Sequence, residues 1–80
     1  MAQSLKAPPV LAEDDKYSEW RNDVKIWEMY TDLEKAKRGP ALYLTLTGRA
    51  RECLRELKIE DIGCATGVEK ILERLDNLFL

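Results

Sequence analysis

The sequence predicts an all-α fold, a small bundle of about four helices preceded by an extended arm. Three observations carry that expectation. Tyr17, Trp20, Val24 and Trp27 recur at three, four and three residues, which places both indoles on one helix face. Val68, Ile71, Leu72, Leu75, Leu78 and Phe79 keep the same period through the last part of the chain. The one stretch that alternates like a strand, Ala41 to Thr47, has no visible pairing partner and would be poorly stable alone.

Bulk properties narrow the class. With 80 residues the chain forms one small domain, burying roughly 60% of its unfolded surface. A composition of 45% hydrophobic and 35% charged residues belongs to a folded chain and not a disordered one. The formal net charge is -2 with acids and bases interspersed, which gives no clustered positive footprint for nucleic acid. No apolar run approaches the ~20 residues that span a bilayer, and the start lacks a signal-peptide pattern. The expectation is an intracellular, cytoplasmic protein. Cys53 and Cys64 are too few for a disulfide scaffold and read as free thiols, with Cys53 in a core register.

Residues 1–15 read as an arm and residues 16–80 as the helical lobe. Pro8 and Pro9 exclude helix and favour extended backbone. With Leu5, Val10 and Leu11 are the sizeable apolar residues there. The arm is either a disordered tail or a segment that docks on a groove or adds as a strand. Glu13, Asp14 and Asp15 lead into the first helix, expected over about Tyr17 to Thr31. Ile26 and Tyr30 are expected to widen its apolar face on one flank. The two indoles either anchor the core or leave one ring lining a groove for a peptide or the chain's own arm.

Thr31 and Asp32 offer a cap for a second helix, and Gly39-Pro40 suggests a restart with Pro40 in a first turn, where its missing N–H costs nothing. Lys35, Lys37 and Arg38 form a basic cluster beside it. Ala41 to Thr47 is read as helix because Ala36, Tyr43, Leu46 and Ala50 recur at helical spacing, with Leu42 and Leu46 an i, i+4 pair. A third helix is expected from Gly48 to about Leu57 on the stripe Ala50, Cys53, Leu54, Leu57. Its like-charge pairs Arg51/Arg55 and Glu52/Glu56 weaken it. Ile59 to Ala65 reads as a turn tucking Ile59 and Ile62 inward. Thr66 and Glu69 match a capping box opening the last helix.

Chemistry is hard to find in these residues. Histidine is absent, and the two cysteines lie eleven positions apart without a second pair. No GxGxxG, GxxxxGK or GxSxG motif occurs. The expectation is a non-enzyme without cofactor or metal. Arg49, Arg51, Arg55 and Lys58 give the third helix a basic flank, but Glu52, Glu56 and Glu60 interrupt it.

Several segments nevertheless resemble a known family in order and spacing: Pro8-Pro9-Val10-Leu11, Tyr17-x-x-Trp20, Trp27, Thr31-Asp32-Leu33, Arg38-Gly39-Pro40-Ala41-Leu42, Leu46-Thr47-Gly48-Arg49-Ala50-Arg51-Glu52 and Leu75-Asp76-x-Leu78-Phe79. Together they are similar to the capsid N-terminal domain (N-lobe) of gypsy-class LTR-retrotransposon Gag polyproteins, a family that includes Arc-like domesticated Gag. The resemblance implies a small orthogonal bundle of four to five helices, normally followed by a second capsid lobe and often a zinc knuckle. It implies a structural role in protein–protein contacts of a capsid-like shell, with other Gag subunits as weakly associating partners and neither nucleic acid nor membrane as a direct partner of this lobe. The alternative it implies is an adaptor lobe binding a partner peptide in a hydrophobic groove; a third is a SCAN-like dimerising module. By this analogy Trp20, Trp27 and Tyr30 are groove residues and Pro9, Val10 and Leu11 their strand. Lys35, Lys37, Arg38, Arg51 and Arg55 are the corresponding assembly-surface candidates.

Overall fold

A computed structural model of the chain describes residues 7–11 and 16–80, and all regular structure among them is helical. The expectations for Leu5 and for Glu13, Asp14 and Asp15 lie outside the described residues. The first helix, α1, covers Tyr17–Tyr30 and buries Tyr17, Trp20, Val24 and Trp27. Ile26 and Tyr30 do not join that face; they are 59% and 51% exposed. At 3.6 residues per turn Ile26 sits about 120° around the helix from Trp20, and Tyr30 about 80°. Both fall off the indole stripe.

The second helix, α2, runs Lys35–Thr45, so the strand-like stretch is helical as far as Thr45, while Leu46 and Thr47 have extended backbone. Its N-cap is Glu34 and not Thr31 or Asp32. The Thr31 hydroxyl instead accepts the Leu33 N–H at 3.3 Å, a local turn between the helices. Gly39-Pro40 does not restart the chain, because Pro40 lies inside α2. The N–H that Pro40 lacks would have met the carbonyl of Ala36, an exposed residue. Ala36 itself is outside the core, which takes Leu42 and Leu46 from this segment.

After Gly48, which adopts a φ of 61°, the helix α3 spans only Gly48–Glu52. The expected continuation to Leu57 is replaced by tighter turns: Leu54 N–H donates to Arg51 O at 3.1 Å, and Leu57 N–H to Leu54 O at 3.0 Å. The like-charge pairs at i, i+4 penalise a longer α-helix here, and Leu54 is fully buried without one. Cys53 and Leu57 pack against the core half-buried.

The one-turn helix α4, Ile59–Ile62, is held at its start by Asp61, whose carboxylate accepts the Lys58 N–H at 3.3 Å. Ile59 does not tuck inward; it is 86% exposed at the first helical position, while Ile62 is half-buried. The final helix, α5, spans Gly67–Phe79 and buries Val68, Ile71, Leu72 and Leu75. No capping box opens it. Thr66 has φ -104° and ψ 18°, not the extended backbone of a side-chain cap, and its hydroxyl lies 3.4 Å from Cys64 Sγ.

The helices α2, α4 and α5 meet at two buried glycines. A Cβ on Gly39 would collide with the Ile62 carbonyl and lie 3.1 Å from Gly67 Cα; a Cβ on Gly67 would strike the same carbonyl. Backbone thus packs directly on backbone, with no room for a methyl group. Gly39→Ala and Gly67→Ala should each lower stability by about 1–3 kcal/mol, the range for overpacking a closed site. Gly48→Ala, where nothing lies within 4 Å, should cost only about 1–2 kcal/mol from its left-handed backbone. Thermal unfolding followed by circular dichroism measures all three, and an unaffected Gly67→Ala would contradict the packing.

Candidate functional site

Buried aromatic residues with polar tips need partners for those tips, and Trp20 finds its partner in the arm. The ring is 3% exposed, and its indole Nε1–H donates to Pro9 O at 3.1 Å. Pro9 suits this contact because a proline keeps its acceptor while lacking a competing N–H. Pro8 and Pro9 are half-buried, and Leu11 packs against the core beside them. Val10, between them, is 64% exposed.

The three aromatics named from the sequence therefore do three different jobs. Trp20 contacts the arm, Trp27 is 3% exposed within the core, and Tyr30 lies on the outer flank of α1. They do not line one groove. The basic candidates divide in the same way. Lys35 and Lys37 are exposed in the first turn of α2, and Arg38 folds back so that its Nε donates to Leu33 O at 2.9 Å. Arg51 lies over the Tyr43 ring, 4.5 Å from its centroid, with its Nε buried and lacking a hydrogen-bond partner. Arg55 is exposed. Lys37 and Tyr43 stand about 9 Å apart along α2 at 1.5 Å per residue, so the basic residues make two patches and not one.

A further cluster ties α1 to α5 across a long stretch of sequence. Arg21 grips Asp76 through Nε at 2.9 Å and Nη2 at 3.1 Å, and the Tyr17 hydroxyl donates to Asp76 Oδ1 at 2.5 Å. The Tyr17 ring stacks on Phe79 with centroids 4.9 Å apart. The Arg21 guanidinium holds the Asp76 carboxyl below its ordinary range, and burial together with Asp76 pushes the Tyr17 phenol up. Sequence spacing gave no sign of this cluster, since its members lie 55 and 59 positions apart. A groove of about 510 Å³ runs beside it, lined by charges of both signs, including Lys25, Lys70 and Glu73.

At the turn into α5, Lys70 Nζ lies 3.3 Å from Asp61 Oδ1 and 3.8 Å from Cys64 Sγ. The Thr66 hydrogen bonds, followed by the Lys70 charge, draw the Cys64 thiol down, whereas burial pushes the Cys53 thiol up. Both cysteines are free. Among the described residues no three His, Cys, Asp or Glu side chains gather as a metal set, and no helix is long and apolar enough to cross a membrane.

No protein-family model, curated protein or solved structure matches this chain. The likeness to gypsy-class Gag therefore rests on the sequence segments themselves.

The cluster of Tyr17, Arg21 and Asp76 makes stability depend on pH. A carboxyl whose folded pKa is depressed stabilises above its ordinary value near 4, and that contribution is lost as pH falls through the folded value. A raised phenol acts in the opposite sense, stabilising fully below about pH 10 and losing that contribution above it. With Arg21 and Asp76 side chains 33% and 26% exposed, the pair contributes about 1 kcal/mol or less. The melting temperature of the native chain should drop below pH 4, and Asp76→Asn should flatten that acid limb. An unchanged limb would remove Asp76 from its origin.

Proposed function

We propose that this chain is a Gag-like capsid N-terminal lobe, an orthogonal bundle whose work is protein–protein contact in a self-assembling cytoplasmic shell, and that it has no catalytic role. The observation that carries the reading is the division of labour in the fold. Both indoles and the aliphatic row of α5 are spent on one interior. Lys35, Lys37 and Arg55 stay on the outside, together with large apolar side chains such as Met29 and Leu44. Weak surfaces of this kind suit a closed shell, where many small contacts act together and none needs the ~1,000 Å² of a stable pair.

The lobe should be monomeric at about 10 μM and self-associate weakly near 1 mM, a difference of roughly 3 kcal/mol in the free energy accessible to a contact. Sedimentation velocity across that range measures it. Lys35→Glu with Arg55→Glu should weaken the association, while a tight, salt-insensitive oligomer at low micromolar concentration would contradict the reading.

One contact favours a second reading, in which the lobe is an adaptor for a partner peptide. The arm carbonyl of Pro9 already sits on the Trp20 indole, with Leu11 packed nearby, as an extended proline-containing ligand would sit. A Leu11→Ser variant should loosen the arm and let extended Pro-rich peptides produce a saturable shift in tryptophan emission. Absence of any shift, in this variant and in the native chain, would remove the adaptor reading.

A further inference from the structure

A nitrogen held against a cysteine sulfur can capture that sulfur once it has been oxidised. The corner between α4 and α5 holds such a pair, fixed from the backbone upward. Cys64 lies in the turn before α5, where its carbonyl accepts the Gly67 N–H at 2.9 Å and its thiol donates to Asp61 O at 3.2 Å. Lys70 stands one helical turn above Thr66, whose carbonyl accepts its N–H at 3.0 Å. Asp61 Oδ1 then accepts from Lys70 Nζ at 3.3 Å and draws it over the sulfur. The result is Nζ at 3.8 Å from Sγ across six positions of sequence.

The other thiol has no such neighbour. Cys53 donates to Ala50 O at 3.3 Å, and the charge that acts on it is Arg74, a guanidinium that stays protonated and is no nucleophile. Burial also keeps Cys53 in its thiol form, whereas Thr66 and Lys70 favour the thiolate at Cys64, the form that reacts with peroxides.

We propose that Cys64 and Lys70 form a modification site, at which a hydroperoxide drives a covalent Sγ–Nζ cross-link. It stands apart from the assembly reading and does not depend on it. In the first step the Cys64 thiolate attacks one peroxide oxygen. An S–O bond forms, the O–O bond breaks, and the departing hydroxide takes up the proton the thiol gave, leaving as water. Sulfur has then lost two electrons to the peroxide and is a sulfenic acid. In the second step the neutral Lys70 amine attacks that sulfur. An S–N bond forms, the S–O bond breaks, and the hydroxide leaves with a proton from the amine as a second water. Thiol, amine and one hydrogen peroxide thus give a sulfenamide and two waters. The Lys70 side chain is 41% exposed on a flexible four-carbon stem, so it is free to close the remaining gap. The ring so formed spans Gly67, the glycine at which α2, α4 and α5 meet.

Hydrogen peroxide treatment of the native chain at about pH 9, where thiolate and some neutral amine coexist, tests the proposal by intact mass and peptide mapping. The expected product has lost two hydrogens, joins Cys64 to Lys70, resists trypsin at Lys70 and is released by dithiothreitol. Lys70→Arg keeps the positive charge but cannot close the bond, so a Cys64 sulfenic acid that dimedone traps should accumulate in its place. Cys53→Ser should still cross-link, which separates the product from a Cys53–Cys64 disulfide of equal mass. Circular dichroism confirms that each variant folds. Identical Cys64 products from the native chain and Lys70→Arg would overturn the cross-link. So would a disulfide to Cys53 as the only product with two hydrogens lost, or a Cys64 that peroxide leaves untouched.

Discussion

The fold depends on one close approach of backbone to backbone. Gly39 of α2 and Gly67 of α5 meet with no side chain between them, and the Ile62 carbonyl at the end of α4 closes over both. Any Cβ at either position would push the helices apart. That spacing lets Leu42 and Leu46 from one segment share an interior with Ile71, Leu72 and Leu75 from another. It also explains how a proline is tolerated within α2. The dipeptide Gly39-Pro40 gives up one helix hydrogen bond at the exposed residue Ala36 and gains a contact that no larger residue permits.

Around this joint, α1 acts mainly through its side chains. Trp20 and Trp27 fill the space beside the glycine-joined helices, while Arg21 and Tyr17 fasten the helix to Asp76. The polar tip of Trp20 is satisfied by the arm and not by the lobe, so the arm is linked energetically to the central indole. A small domain of this kind has little stability to spare, and one or two kcal/mol at the joint or in the indole layer is a large share of the total. The outward faces are then free to vary in charge and apolarity without disturbing the interior.

The parts of this architecture legible in sequence were those set by short-range periodicity. The stripe of Tyr17, Trp20, Val24 and Trp27 lies in the core as its spacing requires, and so do Val68, Ile71, Leu72 and Leu75 of the last row, while Leu78 is half-buried and Phe79 is exposed. Ala41 to Thr45 is helical and Leu46 and Thr47 are extended, yet Leu42 and Leu46 both reach the core. Boundaries were less legible. Pro40 looked like a helix start because local rules place proline in a first turn, whereas tertiary packing needs its glycine neighbour in mid-helix. Thr66 and Glu69 matched a capping box, but the backbone at Thr66 turns the hydroxyl toward Cys64. Ile26 and Tyr30 look like core by hydrophobicity alone and fall outside it by helical angle. The Arg21 and Asp76 pair, and the Pro9 contact on Trp20, join residues that no periodicity relates.

Amide hydrogen exchange on the native chain tests the central claim most directly, because protection ranks segments by the free energy needed to open them. If the glycine joint holds the fold together, the slowest amides lie in the buried turns of α2 around Leu42 and of α5 around Ile71, and they exchange together at the global rate. Slowest exchange confined to α1, with α2 and α5 opening independently of each other and earlier, would contradict the account.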